Sequence, residues 1–114
     1  MLRLWHNPRC SKSRAALALL QDRGTEVEIY RYLDTPPDAD ALGQILEKLG
    51  AIPAQQIVRK GESAWKESGL TPDSPEDAVR SVILANPILI ERPILETDSR
   101  AVIGRPPEEI LAVL

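Results

Sequence analysis

The chain begins with an apolar segment, a helix-forming run and a second apolar segment, joined by connections of a few residues. Leu2 to His6 predicts a strand, which Asn7-Pro8 ends. The run from Ser11 to Arg23 is rich in helix formers, and Gly24 follows it as a stop. Glu26 to Tyr32 predicts a second strand. Short connections of this kind imply two parallel strands joined by a right-handed crossover helix.

A helical block is predicted to follow, over about residues 38–86. Asp38 is a suitable N-cap for a helix whose leucines and isoleucine recur at helical spacing until Gly50. Three shorter helical segments come next, with starts predicted at Pro53, at residue 62 and at Ser74. This block separates the first two strands from the apolar segments near the end of the chain.

The C-terminal part predicts an antiparallel hairpin and a last helix. Ile94–Glu96 and Arg100–Ile103 alternate around a three-residue turn, and Pro106-Pro107 opens the last helix. The order of elements predicts an α/β fold: a four-stranded mixed sheet with helices packed on it, of the thioredoxin or glutaredoxin type. A chain of 114 residues fits one domain, residues 1–114.

Cysteine, histidine and hydropathy content argue against several classes of protein. One cysteine excludes an intrachain disulfide and a cysteine-rich metal cluster, and a single histidine argues against a histidine-based metal site. No apolar run approaches the roughly 18 residues of a membrane span. The first residues, MLRLWHNPR, lack the apolar region of a signal peptide. We therefore expect a soluble cytoplasmic protein with no metal and no membrane partner.

Positive charge is concentrated at the start of the chain. Residues 1–21 carry four basic residues and no acid, whereas the net charge of the whole chain is −3. A nucleic-acid-binding domain is usually basic overall, so no nucleic acid is expected as a partner. Since the only cysteine, Cys10, lies within this basic segment, the charge pattern favours a site for a small anion.

The position of Cys10 at a predicted helix start favours its thiolate. Unsatisfied N–H groups and the helix dipole stabilise negative charge there, by about 0.3–2 kcal/mol for the dipole. A thiolate that dominates at neutral pH needs about 2.7 kcal/mol, so the helix start is insufficient alone. Other cations must contribute: His6, Arg9, Lys12, Arg14 or arginines distant in sequence.

The residues around Cys10 exclude some cysteine chemistries and leave others open. Ser13 stands where a C-x-x-C motif has its second cysteine, so the chain has no internal resolving thiol. Arg14 comes too early for the phosphatase loop, which places five residues between cysteine and arginine. A Cys-His nucleophile with His6 as base stays open, although nothing in the sequence orients the histidine.

Five segments together resemble the glutaredoxin-coupled arsenate reductases. The first is His6-Asn7-Pro8-Arg9-Cys10-Ser11-Lys12-Ser13-Arg14, the active-site segment of that family. The other four are residues 32–37, 57–60, 86–94 and 103–106. They follow in order over essentially the whole chain, and the five together are much more specific than the cysteine segment alone.

This resemblance implies a thioredoxin-like fold with an inserted helical block, and a reaction. Cys10 would attack arsenate and expel water, glutathione would attack the adduct, and glutaredoxin would resolve the mixed disulfide as arsenite leaves. Glutathione is then a co-substrate, and no cofactor is bound. Arg59, Arg92 and Arg105 resemble the three arginines that bind the oxyanion, His6 a residue that assists thiolate formation, and Pro93 the cis-proline beside the site.

Roles for the remaining residues of the cysteine segment, and the overall function, stay open at this point. Asn7, Ser11 and Ser13 either contact the substrate or satisfy the loop, and Lys12 and Arg14 are further candidates for anion binding or thiolate activation. Two other functions fit the same fold: a glutathione-dependent thiol reductase that removes glutathione from proteins, and a regulator that binds RNA polymerase. Such regulators use a C-x-x-C switch, which Ser13 removes.

Overall fold

Four short strands form one mixed sheet in the computed structural model of the chain, which describes residues 1–114. The strands are β1 (Arg3–Trp5), β2 (Glu28–Tyr30), β3 (Ile94–Glu96) and β4 (Ala101–Ile103), in the spatial order β2-β1-β3-β4. β1 pairs parallel with β2 and antiparallel with β3, which pairs antiparallel with β4. This is the thioredoxin-like arrangement, so the predicted fold class is confirmed.

Helices connect and flank the strands. The α-helices are α1 (Ser11–Asp22), α2 (Ala39–Lys48), α3 (Ser63–Ser68) and α4 (Glu76–Ala85), and the 3₁₀ segments are Ala54–Ile57, Pro87–Leu89 and Pro107–Val113. Asp38 caps α2 as predicted, its carboxylate accepting from the Ala41 amide at 2.8 Å. The elements from α2 to α4 lie between β2 and β3, where the helical block is predicted. No helix has both the length and the apolar content to cross a membrane.

Two predicted helix features are wrong in detail. Ser74 does not cap α4: its hydroxyl accepts from the Thr71 amide at 2.8 Å, and the helix begins after Pro75 instead. The last helix, predicted after Pro106-Pro107, is a 3₁₀ segment rather than an α-helix. A 3₁₀ turn bonds over a shorter span, and it suits a short terminal segment whose first residue lacks an N–H donor.

Alternation along the strands divides the core between the two faces of the sheet. Leu4 and Leu95 point to one face, where they pack with apolar residues of α1 and the last 3₁₀ segment. Trp5 and Ile94 point to the other, larger core, built with α2, α4 and the segments between them. β2 lies at the edge, and its central residue Ile29 is 45% exposed.

The junctions at both ends of the hairpin bring its flanking loops together. The peptide bond Arg92–Pro93 is cis, which confirms the prediction, and Arg105–Pro106 is a second cis bond that the sequence did not indicate. Gly104 donates from its amide to the Pro93 carbonyl at 2.8 Å. A Cβ at this glycine would lie 2.8 Å from side-chain atoms of Pro93 and Ile110, so the close approach requires glycine. Arg92 and Arg105 are therefore held side by side.

Candidate active site

Cys10 ends the loop after β1 and occupies the N-cap position of α1. Its backbone is extended (φ −92°, ψ 123°), and its carbonyl accepts the Arg14 amide at 3.0 Å. Its own amide donates to the Asn7 carbonyl at 3.0 Å, which closes the loop. The thiol is partly exposed and free. The structure thus places the cysteine at the helix start that the sequence predicts.

The surroundings of Cys10 lower the pKa of its thiol. Burial acts in the opposite direction and is the largest single influence, but the backbone amides of Ser13 and Lys12 and the Arg92 side chain outweigh it. The first two are free N–H groups of the first helical turn, which stabilise a thiolate. The positive guanidinium of Arg92 lowers the pKa further. Of the cations that the charge argument left open, the one that lowers the pKa of the thiol is Arg92, an arginine distant in sequence.

Three buried polar residues shape the loop from the inside. The His6 ring nitrogen Nδ1 and the Ser13 hydroxyl are hydrogen-bonded at 2.6 Å, and that hydroxyl also accepts from the Asn7 amide at 3.0 Å. The Asn7 side chain in turn accepts from the Arg9 amide at 3.0 Å. All of His6, Asn7 and Ser13 are buried. These hydrogen bonds satisfy the loop, which was one of the two roles open for Asn7 and Ser13.

The basic and hydroxyl side chains of the same segment face solvent. Arg9, Ser11, Lys12 and Arg14 are exposed. Arg14 turns back along the loop, and its guanidinium donates to the Pro8 carbonyl at 3.0 Å. Ser11 and Lys12 form the first turn of α1, and their side chains are exposed to an approaching partner.

His6 is expected to stay neutral at physiological pH. Burial, followed by the charges of Arg31 and Arg14, lowers its pKa from 6.5. His6 is the only histidine, so its ring signals can be followed individually by NMR during a pH titration. We expect a midpoint below 6.5, and a stability that falls as the pH drops below about 6.5, because only the unfolded chain then takes up the proton. A midpoint above 6.5 would instead make His6 a cation able to assist the thiolate.

Backbone hydrogen bonds bring Arg59, Arg92 and Arg105 together from three separate segments. An antiparallel bridge between Val58 and Ile90 aligns the first two segments, with the Arg59 amide donating to the Leu89 carbonyl at 2.7 Å. The Arg105 guanidinium donates from Nε to the Arg92 carbonyl at 3.0 Å. These contacts place the three arginine-bearing segments side by side, and the Arg92 side chain lowers the pKa of the Cys10 thiol.

The three guanidinium groups differ in their partners. Arg105 pairs with Glu91 at 2.7 Å, and Arg59 lies 3.8 Å from Glu62. Arg92 is only 7% exposed and forms no ion pair with a carboxylate. It donates from Nη1 to the Ile88 carbonyl at 3.1 Å, and its Nε has no partner. A buried cation without a carboxylate partner is costly, so the Cys10 thiolate or a bound anion has to supply the compensating charge.

Two residues of the site have no predicted role, Tyr32 and Glu91. Tyr32 lies just after β2 with its ring in the larger core. Burial raises the pKa of its hydroxyl to about 12, and the charges of Arg92, Cys10, Arg59 and Glu91 also act on it. The sequence indicated Tyr32 as a strand residue and as the first residue of one segment of the resemblance, and no local pattern marks the position of its hydroxyl.

Cys10 lies outside the cavities of the molecule. The structure has four cavities, and Cys10 and the three arginines line none of them. A cavity of about 410 Å³ lies behind the loop, against His6, Asn7 and Arg31. An open thiolate beside a buried guanidinium can bind a small anion, attack it, and then be reached by a second, larger thiol.

Comparisons with known proteins agree on one family. The sequence profile of the ArsC family matches residues 5–113. The chain is 47% identical to an arsenate reductase of Neisseria meningitidis over 99% of the chain and 97% of that relative. It is 37% identical to an arsenate reductase of Escherichia coli over 97% of the chain and 79% of that relative. An arsenate reductase structure from Vibrio cholerae superimposes with a TM-score of 0.94 at 37% identity, over 99% of this chain and 97% of the other.

Proposed function

Because this chain belongs to the ArsC family, we propose that it reduces arsenate to arsenite, with Cys10 as the nucleophile. The observation that carries the proposal is Arg92: a buried guanidinium with no carboxylate partner, acting directly on the Cys10 thiol. Arsenate is a tetrahedral oxyanion that planar guanidinium groups bind through paired hydrogen bonds. The same cation thus favours both the thiolate and the substrate.

The arginines make the attack of one anion on another feasible. A thiolate and an arsenate repel each other until positive groups neutralise the site, and fixed cations do this without reorganisation during the reaction. Of the three arginines, Arg92 is the one that acts on the Cys10 thiol, so it is the first candidate for this role. Arg59 and Arg105 are the second and third candidates for this role. Glu91 holds the Arg105 guanidinium at 2.7 Å, so a bound oxyanion would compete with Glu91 for Arg105.

The reaction needs a second thiol, which this chain does not contain. Cys10 attacks arsenic, a sulfur–arsenic bond forms and water leaves. Glutathione supplies the second thiol: arsenic(V) gains two electrons and leaves as arsenite, while the two thiols become one mixed disulfide. Glutaredoxin, with further glutathione, then reduces that disulfide and restores Cys10. An open site without an enclosing cavity suits the approach of another protein.

The proposal is tested by measuring arsenite formation with glutathione and glutaredoxin both present, and with each omitted in turn. Arsenite should form over many turnovers only in the complete mixture. Without glutaredoxin it should stop near one equivalent per chain, because the mixed disulfide accumulates. Without glutathione no turnover is expected.

Two other outcomes would redirect the assignment. Reduction of a glutathione mixed disulfide, with no arsenite formed from arsenate, would identify a thiol reductase that uses the same cysteine. Retention of RNA polymerase on the immobilised protein, with neither activity, would identify a regulator. Either result contradicts arsenate as the substrate.

A further inference from the structure

Unpartnered polar atoms converge on the active site. Three buried side-chain polar atoms of the chain have no hydrogen-bond partner, and two of them are the Tyr32 hydroxyl and Arg92 Nε. Buried polar groups in native proteins are nearly always satisfied, so each exception requires an explanation. Two of the exceptions belong to side chains that are linked electrostatically to Cys10, which points to a shared missing partner.

The Tyr32 hydroxyl is held firmly in this unsatisfied position. Tyr32 is fully buried, and its ring packs near Trp5 in the larger core with a centroid separation of 6.1 Å. The residue therefore cannot swing its hydroxyl out to water without leaving the core. Burying a hydroxyl with no partner costs stability, which phenylalanine at this position would avoid.

The packing of the ring places Tyr32 near the arginine-bearing segments. Its ring shares one core cluster with Val58, which precedes Arg59, and with Ile90, two residues before Arg92. The charges of Arg92, Cys10, Arg59 and Glu91 also act on the pKa of its hydroxyl, in agreement with this placement. With a pKa of about 12 the hydroxyl keeps its proton at any physiological pH. It is therefore a neutral hydrogen-bond donor among cations.

We propose that the Tyr32 hydroxyl is a further substrate-binding group, which donates a hydrogen bond to the tetrahedral oxyanion held by the arginines. The proposal rests on the proposed function for the identity of the oxyanion, but it requires only an anion of that shape. Both atoms are covered in the free protein, so an anion that displaces the side chains over them would satisfy the hydroxyl and Arg92 Nε together. The neutral donor would bind an oxyanion oxygen without adding positive charge to the site.

Tyr30 provides a matched control. Tyr30 is the last residue of β2, two positions before Tyr32. Its hydroxyl donates to the Thr35 carbonyl at 2.7 Å and is thus already satisfied. Tyr30→Phe removes an existing hydrogen bond of the fold. Tyr32→Phe removes a hydroxyl that has no partner in the free protein.

The experiment compares wild type, Tyr32→Phe and Tyr30→Phe in two measurements. Thermal unfolding without anion reports the structural role of each hydroxyl. Protection of Cys10 from iodoacetamide by arsenate, and separately by sulfate, reports oxyanion binding without any need for turnover. We expect Tyr32→Phe to unfold at the wild-type temperature or above it, yet to bind both anions about tenfold more weakly. Tyr30→Phe should unfold at a lower temperature and bind the anions as wild type does.

Sulfate separates this proposal from the proposed function, since it has the same shape and cannot be reduced by thiols under these conditions. Suppose that wild type forms no arsenite, while sulfate protects Cys10 in wild type but not in Tyr32→Phe. This result would refute arsenate reduction and support the role of Tyr32. A Tyr32→Phe variant that unfolds at a lower temperature and binds sulfate normally would overturn the role, because the hydroxyl would then be structural. Absence of protection by either anion in wild type would overturn it as well.

Discussion

Replacing Cys10 by serine should abolish arsenite formation, with a loss of at least about 10³-fold. The hydroxyl of serine keeps its proton at neutral pH, so the variant lacks the anion that the helix amides and Arg92 stabilise at this position. The measurement is arsenite formed in the complete mixture of glutathione and glutaredoxin.

Folding should survive this substitution. Cys10 is the N-cap residue of α1 and makes no capping hydrogen bond itself, whereas serine is among the preferred N-caps. Thermal unfolding of Cys10→Ser is therefore expected at or above the wild-type temperature. The double variant Cys10→Ser with Ser11→Cys restores one thiol per chain at the neighbouring position, and it should stay inactive. Activity in either variant would remove Cys10 from the reaction.

Replacing Arg92 by alanine should have the second largest effect, a loss of about 10²–10³-fold in kcat/KM for arsenate. Two causes combine. The guanidinium lowers the pKa of the Cys10 thiol, so its removal should move the pH midpoint of Cys10 alkylation upward. It is also the buried cation without a carboxylate partner, so oxyanion binding should weaken.

Two further variants separate these causes from a general loss of charge or fold. Arg92→Lys keeps a positive charge but loses the planar fork, and we expect an alkylation midpoint closer to wild type with weak arsenate binding. Arg23→Ala removes an exposed arginine beyond the end of α1 and should match wild type in both measurements. A normal alkylation profile and normal kcat/KM in Arg92→Ala would exclude the arginine from the site.

Local sequence patterns predicted the backbone around Cys10 and the start of α2 correctly. The stop at Asn7-Pro8, the helix-forming run after Cys10 and the Asp38 cap each depend on neighbours within a few residues, and the structure confirms all three. The cis bond before Pro93 followed from the resemblance rather than from the pattern. Roles for individual residues of the site remain predictions that the variants above would test.

The partners of buried groups could not be predicted, because they depend on contacts between distant segments. Nothing near Arg92 in sequence shows that it lacks a carboxylate, while Arg105 takes Glu91 as its partner at 2.7 Å. Tyr32 fits an apolar strand pattern, yet its hydroxyl is buried without a hydrogen-bond partner. Burial also bears on His6, because it lowers the pKa of the ring and so favours a neutral hydrogen-bond partner of Ser13.

The most direct test of the account is the intact mass of the protein after one turnover. Wild type is mixed with arsenate and glutathione, without glutaredoxin, and both protein mass and arsenite are measured. The account predicts one glutathione attached at Cys10 per chain and one equivalent of arsenite, with attachment dependent on arsenate. Arsenite formed while the protein stays unmodified, or attachment to the same extent without arsenate, would contradict it.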